Sequence, residues 1–231
     1  MSIATAKRFT IAEYHRLTEL GFFGEDDRIE LIKGQLIQMA AKGTAHSVCE
    51  TRLERELFKL LGERATLRGQ QPIILPDDSE PEPDRAIVQN RPDDYLSSHP
   101  TTADILLLIE IADSSLSYDK QVKFPLYAEA GISDYWIFNL LETCLECYSD
   151  PYQNSQGKFG YRVKRIFLSN ETVPLPNFAD LSLDLSKVFP PNFIGELNSL
   201  RQYTGRAGRP SHKTIKIILQ LCNTKHRRCR I

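Results

Sequence analysis

Long apolar runs are missing from this sequence. The chain has 231 residues, of which 41% are hydrophobic and 26% are charged, an ordinary composition for a globular protein. No stretch approaches the ~20 apolar residues that a membrane-spanning helix needs, and residues 1–10 lack the apolar core of a signal peptide. We therefore expect a cytoplasmic protein with no membrane partner. The length fits one α/β domain followed by a tail, since domains of about 100–200 residues are typical.

Cysteine is also scarce. The five cysteines are an odd number, which argues against a disulfide framework. Cys144 and Cys147 form a CxxC motif, but the surrounding residues 140–148 have the pattern of a strand or hairpin. On a strand, positions three apart point to opposite faces. We expect two structural cysteines, and a metal-binding or redox pair is the alternative, because such a pair needs its own loop geometry.

Basic charge is concentrated at the C-terminus. The formal net charge is −1, yet nine of the 29 Lys and Arg residues lie in residues 198–231, which contain no acid. The part before them holds 20 basic against 30 acidic residues, a balance that does not favour non-specific nucleic-acid binding. We expect residues 196–231 to form a basic tail that is disordered or weakly docked. The alternative is an arm that binds nucleic-acid phosphates through Arg206, Arg209 and Lys213.

Hydrophobic periodicity and local signals predict helices and strands in a mixed order. Thr10 and Glu13 predict a capping box at the start of a first helix, and Lys33-Gly34 predicts the turn of a hairpin over residues 30–39. Apolar positions near the 3.6-residue period predict a helix over residues 45–61, with Thr44 as its cap. The other predicted elements are a helix over residues 118–130 that Pro125 interrupts, an extended segment 66–75, strands 85–89, 105–111, 133–139, 143–149 and 161–168, a loop 150–158, and a closing helix or turn 182–188.

Two of the predicted strands carry a carboxylate at one end. Asp84 precedes strand 85–89, and Glu110 lies inside the end of the apolar run 105–111. Such a run is typical of a strand that is buried on both faces at the centre of a sheet. An ionised carboxylate is costly there unless something positive meets it. The sequence separation of 26 positions between the two acids leaves room for a loop and a return strand, so both acids can converge on one divalent cation.

Phosphodiester hydrolysis is a reaction that uses such a site. It requires an activated water, a stabilised oxyanion and a protonated leaving oxygen, and Mg²⁺ (or Mn²⁺) held by one or two carboxylates meets the first two needs. We expect Asp84 and Glu110 to be metal ligands, with the backbone carbonyl of Ile111 as a third. Glu30 is a candidate for a second metal or for holding a water, and a solvated acid at the end of a strand is the alternative.

Helical positions supply further candidates. His46 falls in the first turn of helix 45–61, where the helix dipole disfavours a protonated imidazole. A neutral His46 could contact a substrate phosphate or a water, and a surface or partly buried histidine is the alternative. Asp119, Lys123 and Tyr127 follow one another at i, i+4 and i+8 and share one helix face. A lysine near a scissile phosphate would stabilise its negative charge.

The order and spacing of these residues resemble a known family. Pro83-Asp84 and a strand ending in Glu110 are similar to the PD-(D/E)xK nuclease pattern, although Ala112 stands where that pattern has its lysine. A wider set of positions resembles the Uma2 family over roughly residues 9–190. This set comprises Glu30-Leu31-Ile32-Lys33-Gly34-Gln35-Leu36, Met39, His46, Pro83-Asp84, Glu110-Ile111-Ala112-Asp113-Ser114-Ser115, Asp119, Lys123, Tyr127, Gly131 and Tyr135-Trp136.

The resemblance implies a restriction-endonuclease-like fold over residues 1–195, with a mixed α+β sheet flanked by helices. It also implies an endonuclease that uses Mg²⁺ and acts on DNA, and a homodimer would suit cleavage of two strands. By position it points to Glu30, Asp84 and Glu110 as acids and to Lys123 as a displaced lysine. Asp113-Ser114 departs from the Ser-Pro turn that usually follows the glutamate in the family.

Two other interpretations stay open. The acidic body and the missing ExK lysine favour a nuclease-derived nucleic-acid-binding or regulatory module that no longer cleaves. Glu110 and Lys123 could instead form a structural ion pair with no site around it, although a buried pair of this kind is poor evidence of stability.

Overall fold

A computed structural model of the chain describes residues 5–24 and 27–191. The predicted basic tail, with Arg206, Arg209 and Lys213, lies outside the described residues. The strands are β1 (Ile29–Ile32), β2 (Gln35–Gln38), β3 (Thr66–Gly69), β4 (Arg85–Val88), β5 (Ile105–Ala112), β6 (Asp134–Asn139), β7 (Cys144–Gln153), β8 (Phe159–Leu168), β9 (Thr172–Leu175) and β10 (Phe178–Asp184). The helices are α1 (Ile11–Glu19), α2 (Thr44–Leu61), α3 (Leu116–Tyr118), a π-helical segment (Asp119–Lys123), α4 (Phe124–Glu129) and a 3₁₀ turn (Leu185–Lys187).

Six strands form the central sheet in the order β3-β4-β5-β6-β7-β8. Neighbouring strands are antiparallel except β5 and β6, which are parallel. The sheet is therefore mixed, as predicted, and β5 lies in its interior with its last six residues buried. Two separate hairpins, β1-β2 and β9-β10, complete the strands of the described part of the chain.

The two faces of the sheet carry separate apolar cores, because side chains alternate between faces along each strand. Helix α2 packs on one face with Leu53 and Leu57, and Trp136 of β6 is buried there. Helix α4 packs on the other face with Leu126 and Tyr127. Trp136 is thus part of the core. None of the helices in the described ranges is long and apolar enough to cross a membrane.

The predictions at the start of the chain are largely confirmed. Thr10 and Glu13 form the capping box of α1. Lys33 and Gly34 have φ angles of +48° and +73°, the left-handed pair that a tight two-residue hairpin requires. The predicted cap of α2 is wrong. The N-cap residue is Gly43, which has no side chain to offer, and Thr44 is already the first helical residue.

The predicted helix over residues 118–130 is divided into three parts. A π-helical segment, Asp119–Lys123, separates the short α3 from α4, which carries Pro125 in its first turn. Proline lacks the N–H of the normal helical bond and its ring crowds the carbonyl four residues earlier, so a regular α-helix cannot run through this point. Single π turns of this kind occur often at functional sites.

Other differences concern strand ends. Only Thr66–Gly69 of the predicted segment 66–75 is a strand, and Ile74 and Leu75 make isolated bridges to Thr101 and Ser79. The loop between β7 and β8 is shorter than the predicted 150–158. The two strands pair as far as Gln153 and Phe159, so only residues 154–158 connect them. Strands β9 and β10 were not predicted, and residues 182–188 contain the end of β10 followed by the 3₁₀ turn.

The CxxC cysteines lie on β7 and are free thiols. Cys147 packs against the α2 side of the sheet, whereas Cys144 shares the opposite face with Glu146 and Tyr148, since positions two apart on a strand point the same way. The prediction of two structural cysteines on opposite faces is confirmed.

A buried glutamate connects the sheet to the π-helical segment. Glu146 of β7 is 1% exposed, and its Oε1 accepts hydrogen bonds from Lys120 Nζ at 2.7 Å and Asn139 Nδ2 at 2.9 Å. Its Oε2 lies 2.6 Å from Lys164 Nζ and accepts from the Tyr148 hydroxyl. Burial raises the pKa of Glu146, but these donors outweigh it and bring the pKa down to about 2.

We expect Glu146→Gln to lower the free energy of unfolding at neutral pH by roughly 2 kcal/mol, because both lysines lose their charged partner. The pKa of Glu146 is lowered from 4.5 to about 2, so its stabilising effect is present above about pH 4.5 and is lost as the pH falls toward 2. Urea unfolding near pH 7 and near pH 3 should therefore show a penalty that shrinks in acid. Glu19→Gln, on the exposed end of α1, is the control. A penalty that does not change with pH would contradict this account.

Candidate active site

The antiparallel pairing of β4 and β5 brings the two predicted acids side by side. Arg85 pairs with Ile109, so Asp84 stands next to Glu110. The Asp84 backbone N–H donates to Glu110 Oε2 at 3.3 Å, and the Ile111 N–H donates to Asp84 Oδ2 at 2.8 Å. The two carboxylates are therefore neighbours despite a sequence separation of 26 positions.

A cavity of about 290 Å³ opens beside these acids. Six of the predicted site residues line it: Glu30, His46, Asp84, Glu110, Asp119 and Lys123. Tyr127 lies behind them, and its hydroxyl donates to Glu110 Oε1 at 2.9 Å. The Ile111 N–H faces Asp84. A strand residue directs its N–H and C=O to the same side, so the Ile111 carbonyl also lies on that side.

Lys123 contacts Glu110, the buried acid of β5. Its Nζ lies 2.9 Å from Glu110 Oε1 and 3.6 Å from Glu30 Oε2, and the side chain is 5% exposed. Burial lowers the pKa of Lys123, but the charges of Glu110, Glu30 and Asp119 outweigh it and hold the pKa above its usual value. The basic partner that the burial of Glu110 demands is therefore present, and it comes from the π-helical segment.

Asp84 has its own basic partners. Lys42 Nζ lies 2.7 Å from Oδ1, and His46 Nε2 lies 3.0 Å from Oδ2. Burial raises the pKa of Asp84, but the hydrogen bond and charge of His46 and the charge of Lys42 outweigh it and hold the pKa well below its usual value. His46 is thus a buried residue that contacts an acid, and Asp84 is ionised at neutral pH.

The pKa of Glu110 is shifted in the opposite direction. Its burial, together with the negative charges of Asp84 and Asp119, outweighs the attraction of Lys123 and raises its pKa to about 8. Burial raises the pKa of Asp119 to about 6, against the attraction of Lys123 and the hydrogen bond from Ser115. Crowded carboxylate oxygens with such a shortage of positive charge are the donor set that a hard divalent cation prefers. The residues around Asp84 and Glu110 therefore fit Mg²⁺ or Mn²⁺.

Glu30 is not a solvated acid at the end of a strand. Its side chain is fully buried, its Oε1 accepts from the Tyr118 hydroxyl at 2.7 Å, and its Oε2 accepts from the Glu82 N–H at 3.2 Å. Both oxygens already have partners, so Glu30 is tied to the wall of the cavity. Its role as a ligand or as the holder of a water stays a prediction.

Several residues of the site were not found from the sequence. Lys42 lies in the loop before α2 and Tyr118 at the end of α3, and no periodicity connects either to the acids they contact. Glu50 could have been found, because it follows His46 by one helical turn. Its Oε2 lies 3.8 Å from His46 Nδ1, and its Oε1 accepts from Arg85 at 2.8 Å.

A second group of possible metal ligands lies at β7 and consists of Glu142, Cys144 and Glu146. One ligand atom from each of these residues lies within 4.8 Å of the other two. Lys120 and Lys164 hold both oxygens of Glu146 at 2.7 Å and 2.6 Å. Two ammonium groups in contact with one ligand leave no favourable place for a metal cation. This group does not fit a divalent ion, and it is separate from the Asp84–Glu110 pair.

Comparisons with known proteins agree with this geometry. The sequence model of the Uma2 family, described as "Putative restriction endonuclease", matches residues 11–186. A search of curated proteins finds no match. Among solved structures, a nuclease described as putative and belonging to DUF820, from Anabaena variabilis ATCC 29413, aligns with a TM-score of 0.61 at 18% identity over 78% of this chain and 97% of that chain. This likeness confirms the predicted restriction-endonuclease-like fold.

The type IIG restriction endonuclease BpuSI also matches, with a TM-score of 0.30 and 17% identity over 75% of this chain and 18% of that chain. A TM-score this low supports no inference.

We expect Lys123→Met to lower the free energy of unfolding by about 3 kcal/mol, because it leaves Glu110 and Glu30 without their cation in a buried place. Adding Glu110→Gln should recover part of that loss, since the neutral amide needs no cation, whereas Glu30 keeps its charge. Urea unfolding of the two single variants and the double variant measures the coupling. Lys158→Met, at an exposed position, is the control. Equal losses in Lys123→Met and the double variant would show that the pair is not coupled.

Proposed function

Because the chain belongs to the Uma2 family, we propose that it is an endodeoxyribonuclease that hydrolyses phosphodiester bonds with Mg²⁺ or Mn²⁺. The observation that carries this proposal is the convergence of Asp84 and Glu110 at the wall of one cavity, with Lys123 2.9 Å from Glu110. Asp84 and Glu110 would hold the cation through carboxylate oxygens, and the Ile111 carbonyl would add a third. When bound, the cation supplies Lewis-acid stabilisation and lowers the pKa of a water.

The surrounding residues orient these acids. His46 and the Ile111 N–H both contact Asp84 Oδ2, so the orientation of that carboxylate is determined by two donors. Tyr127 and Lys123 do the same for Glu110 Oε1. In this proposal the pairs keep both carboxylates directed into the cavity, because a ligand held within a fraction of an ångström loses little freedom when it binds.

Proton transfer is assigned to Asp119. It lines the cavity and accepts a hydrogen bond from Ser115 Oγ at 2.8 Å. Its pKa is raised to about 6, and an acid whose pKa lies near the working pH can both hold and release a proton. In the proposed reaction Asp119 supplies a proton on the leaving-group side, either directly or through a water.

DNA is the proposed partner, and a homodimer is proposed for cleavage of both strands. Residues 1–197 hold 20 basic against 30 acidic residues, so the body adds little long-range attraction for a polyanion. In this proposal local contacts in the cavity, and the basic tail with Arg206, Arg209 and Lys213, compensate for that repulsion.

A second candidate function is a nucleic-acid-binding or regulatory module that does not cleave. The observation in its favour is Ala112, which stands on β5 where the nuclease pattern has its lysine. Lys123, which lies on the π-helical segment, nevertheless supplies a positive charge next to Glu110, and this supports the catalytic proposal. Metal binding separates the two functions.

We expect the purified chain to nick supercoiled plasmid DNA with Mg²⁺ or Mn²⁺ and to stop when the metal is chelated. Asp84→Ala should reduce the nicking rate by about a hundredfold or more, since it removes a metal ligand. Asp180→Ala, at a surface residue that pairs with Arg64, should nick at the wild-type rate. Equal nicking by Asp84→Ala and Asp180→Ala would sink the proposal.

Calorimetric titration with Mn²⁺ should show binding to the wild-type chain and at least tenfold weaker binding to Asp84→Ala, because one of two carboxylate ligands is lost. Thermal denaturation of the same samples shows whether the variant is folded. A wild-type chain that binds DNA but no metal would favour the non-cleaving module.

A further inference from the structure

The two lysines that contact the acidic pair differ in how many of their donors are in use. Lys123 is 5% exposed, and its ammonium has three oxygens around it: Glu110 Oε1 at 2.9 Å, the Glu82 carbonyl at 3.5 Å and Glu30 Oε2 at 3.6 Å. An ammonium has three N–H donors, and each of these oxygens is close enough to attract one of them, so the Lys123 ammonium is surrounded by protein acceptors on the side of the acids. A substrate phosphate that bound Lys123 would have to compete with these buried oxygens, two of which belong to acids.

Fewer of the N–H donors of Lys42 are in use. Its Nζ makes one hydrogen bond among the described residues, to Asp84 Oδ1 at 2.7 Å. The next acid, Glu50, is 3.8 Å away and is already held by Arg85 at 2.8 Å. The side chain is 19% exposed and lines the cavity. At least one N–H of Lys42 is therefore free to point into the space where a ligand would lie.

The position of Lys42 is defined by Asp84. Asp84 Oδ2 takes the donors of His46 and Ile111, which leaves Oδ1 for Lys42. The Lys42 ammonium therefore lies within hydrogen-bonding distance of an atom that the proposed function assigns to the metal. A phosphate oxygen brought to that metal would come within reach of the same ammonium, because both share Asp84 as a neighbour.

We propose that Lys42 is the residue that binds the scissile phosphate, while Lys123 serves to hold Glu110 and Glu30. This inference rests on the proposed function, since it takes a nucleic-acid phosphate as the ligand of the cavity. It separates two tasks that one lysine of the ExK pattern would combine. Lys42 contacts the substrate, and Lys123 is a positioning residue.

The test compares the wild-type chain of 231 residues with Lys42→Met, Lys42→Arg and the control Lys59→Met. Lys59 lies on α2, is 61% exposed and forms its only ion pair within residues 5–24 and 27–191 with Glu56, so its loss changes the net charge by the same amount away from the cavity. A short labelled DNA duplex is titrated by fluorescence anisotropy in Ca²⁺, and a gel shows that the duplex stays intact. Mn²⁺ alone is titrated by calorimetry, and thermal denaturation shows that each variant is folded.

We expect Lys42→Met to weaken duplex binding about tenfold or more, because a charge-assisted hydrogen bond to phosphate is lost. Its affinity for Mn²⁺ should be unchanged or higher, since the substitution removes a positive charge that contacts Asp84. Lys42→Arg should restore most of the duplex affinity, and Lys59→Met should match the wild type. In Mg²⁺, Lys42→Met should raise KM for a cleaved duplex, which a purely structural residue would not do selectively.

Equal duplex affinity in Lys42→Met and Lys59→Met would overturn the inference and leave the nuclease proposal standing, provided that the wild type cleaves. Parallel loss of Mn²⁺ and duplex affinity would also overturn it, because Lys42 would then act only by orienting Asp84. If the wild type binds the duplex without cleaving it, the duplex titration still decides the role of Lys42. A wild type that binds neither the duplex nor Mn²⁺ would overturn both proposals.

Discussion

The burial of Glu110 is the constraint on which the site depends. A carboxylate inside a central strand loses its water, and a charge in that place is stable only with compensating partners. Lys123 and Tyr127 both contact its Oε1, and Lys123 reaches Glu30 as well. The pKa of Glu110 stays raised, to about 8, because its burial and the charges of Asp84 and Asp119 outweigh the attraction of Lys123. The fold therefore maintains an acid-rich cavity, which is the environment that a divalent cation stabilises.

The π-helical segment is what makes the lysine available. An ExK lysine would come from β5 itself, two positions after the glutamate, where this chain has Ala112. Lys123 comes instead from the π-helical segment, which Pro125 follows in the first turn of α4. Lys120 of the same segment is bound to Glu146 in β7. One acid on β5 and another on β7 thus hold the segment at two points, and the second contact fixes where the first lysine can reach.

Net charge and local charge have opposite effects on the binding of nucleic acid. The acidic body lowers the attraction for a polyanion, whereas the cavity wall carries Lys42, His46 and Lys123 within contact of the acids. A nuclease with this distribution would depend on short-range contacts and on its metal to bring a phosphate in. A non-cleaving module would depend on the same short-range contacts with phosphate. Local charge, more than net charge, therefore decides how the site works.

Much of the fold and part of the site follow from the sequence alone. The capping box, the Lys33-Gly34 turn and the buried strand that ends at Glu110 depend on neighbours a few residues apart, so their physical signals are local. The convergence of Asp84 and Glu110 also follows, because a return strand and the cost of a buried charge leave few alternatives. Tertiary structure alone decided that Lys42 contacts Asp84, that Tyr118 contacts Glu30 and that residues 118–130 divide at a π turn. Those contacts depend on the paths of loops and on packing between distant elements, which no short-range pattern in the chain encodes.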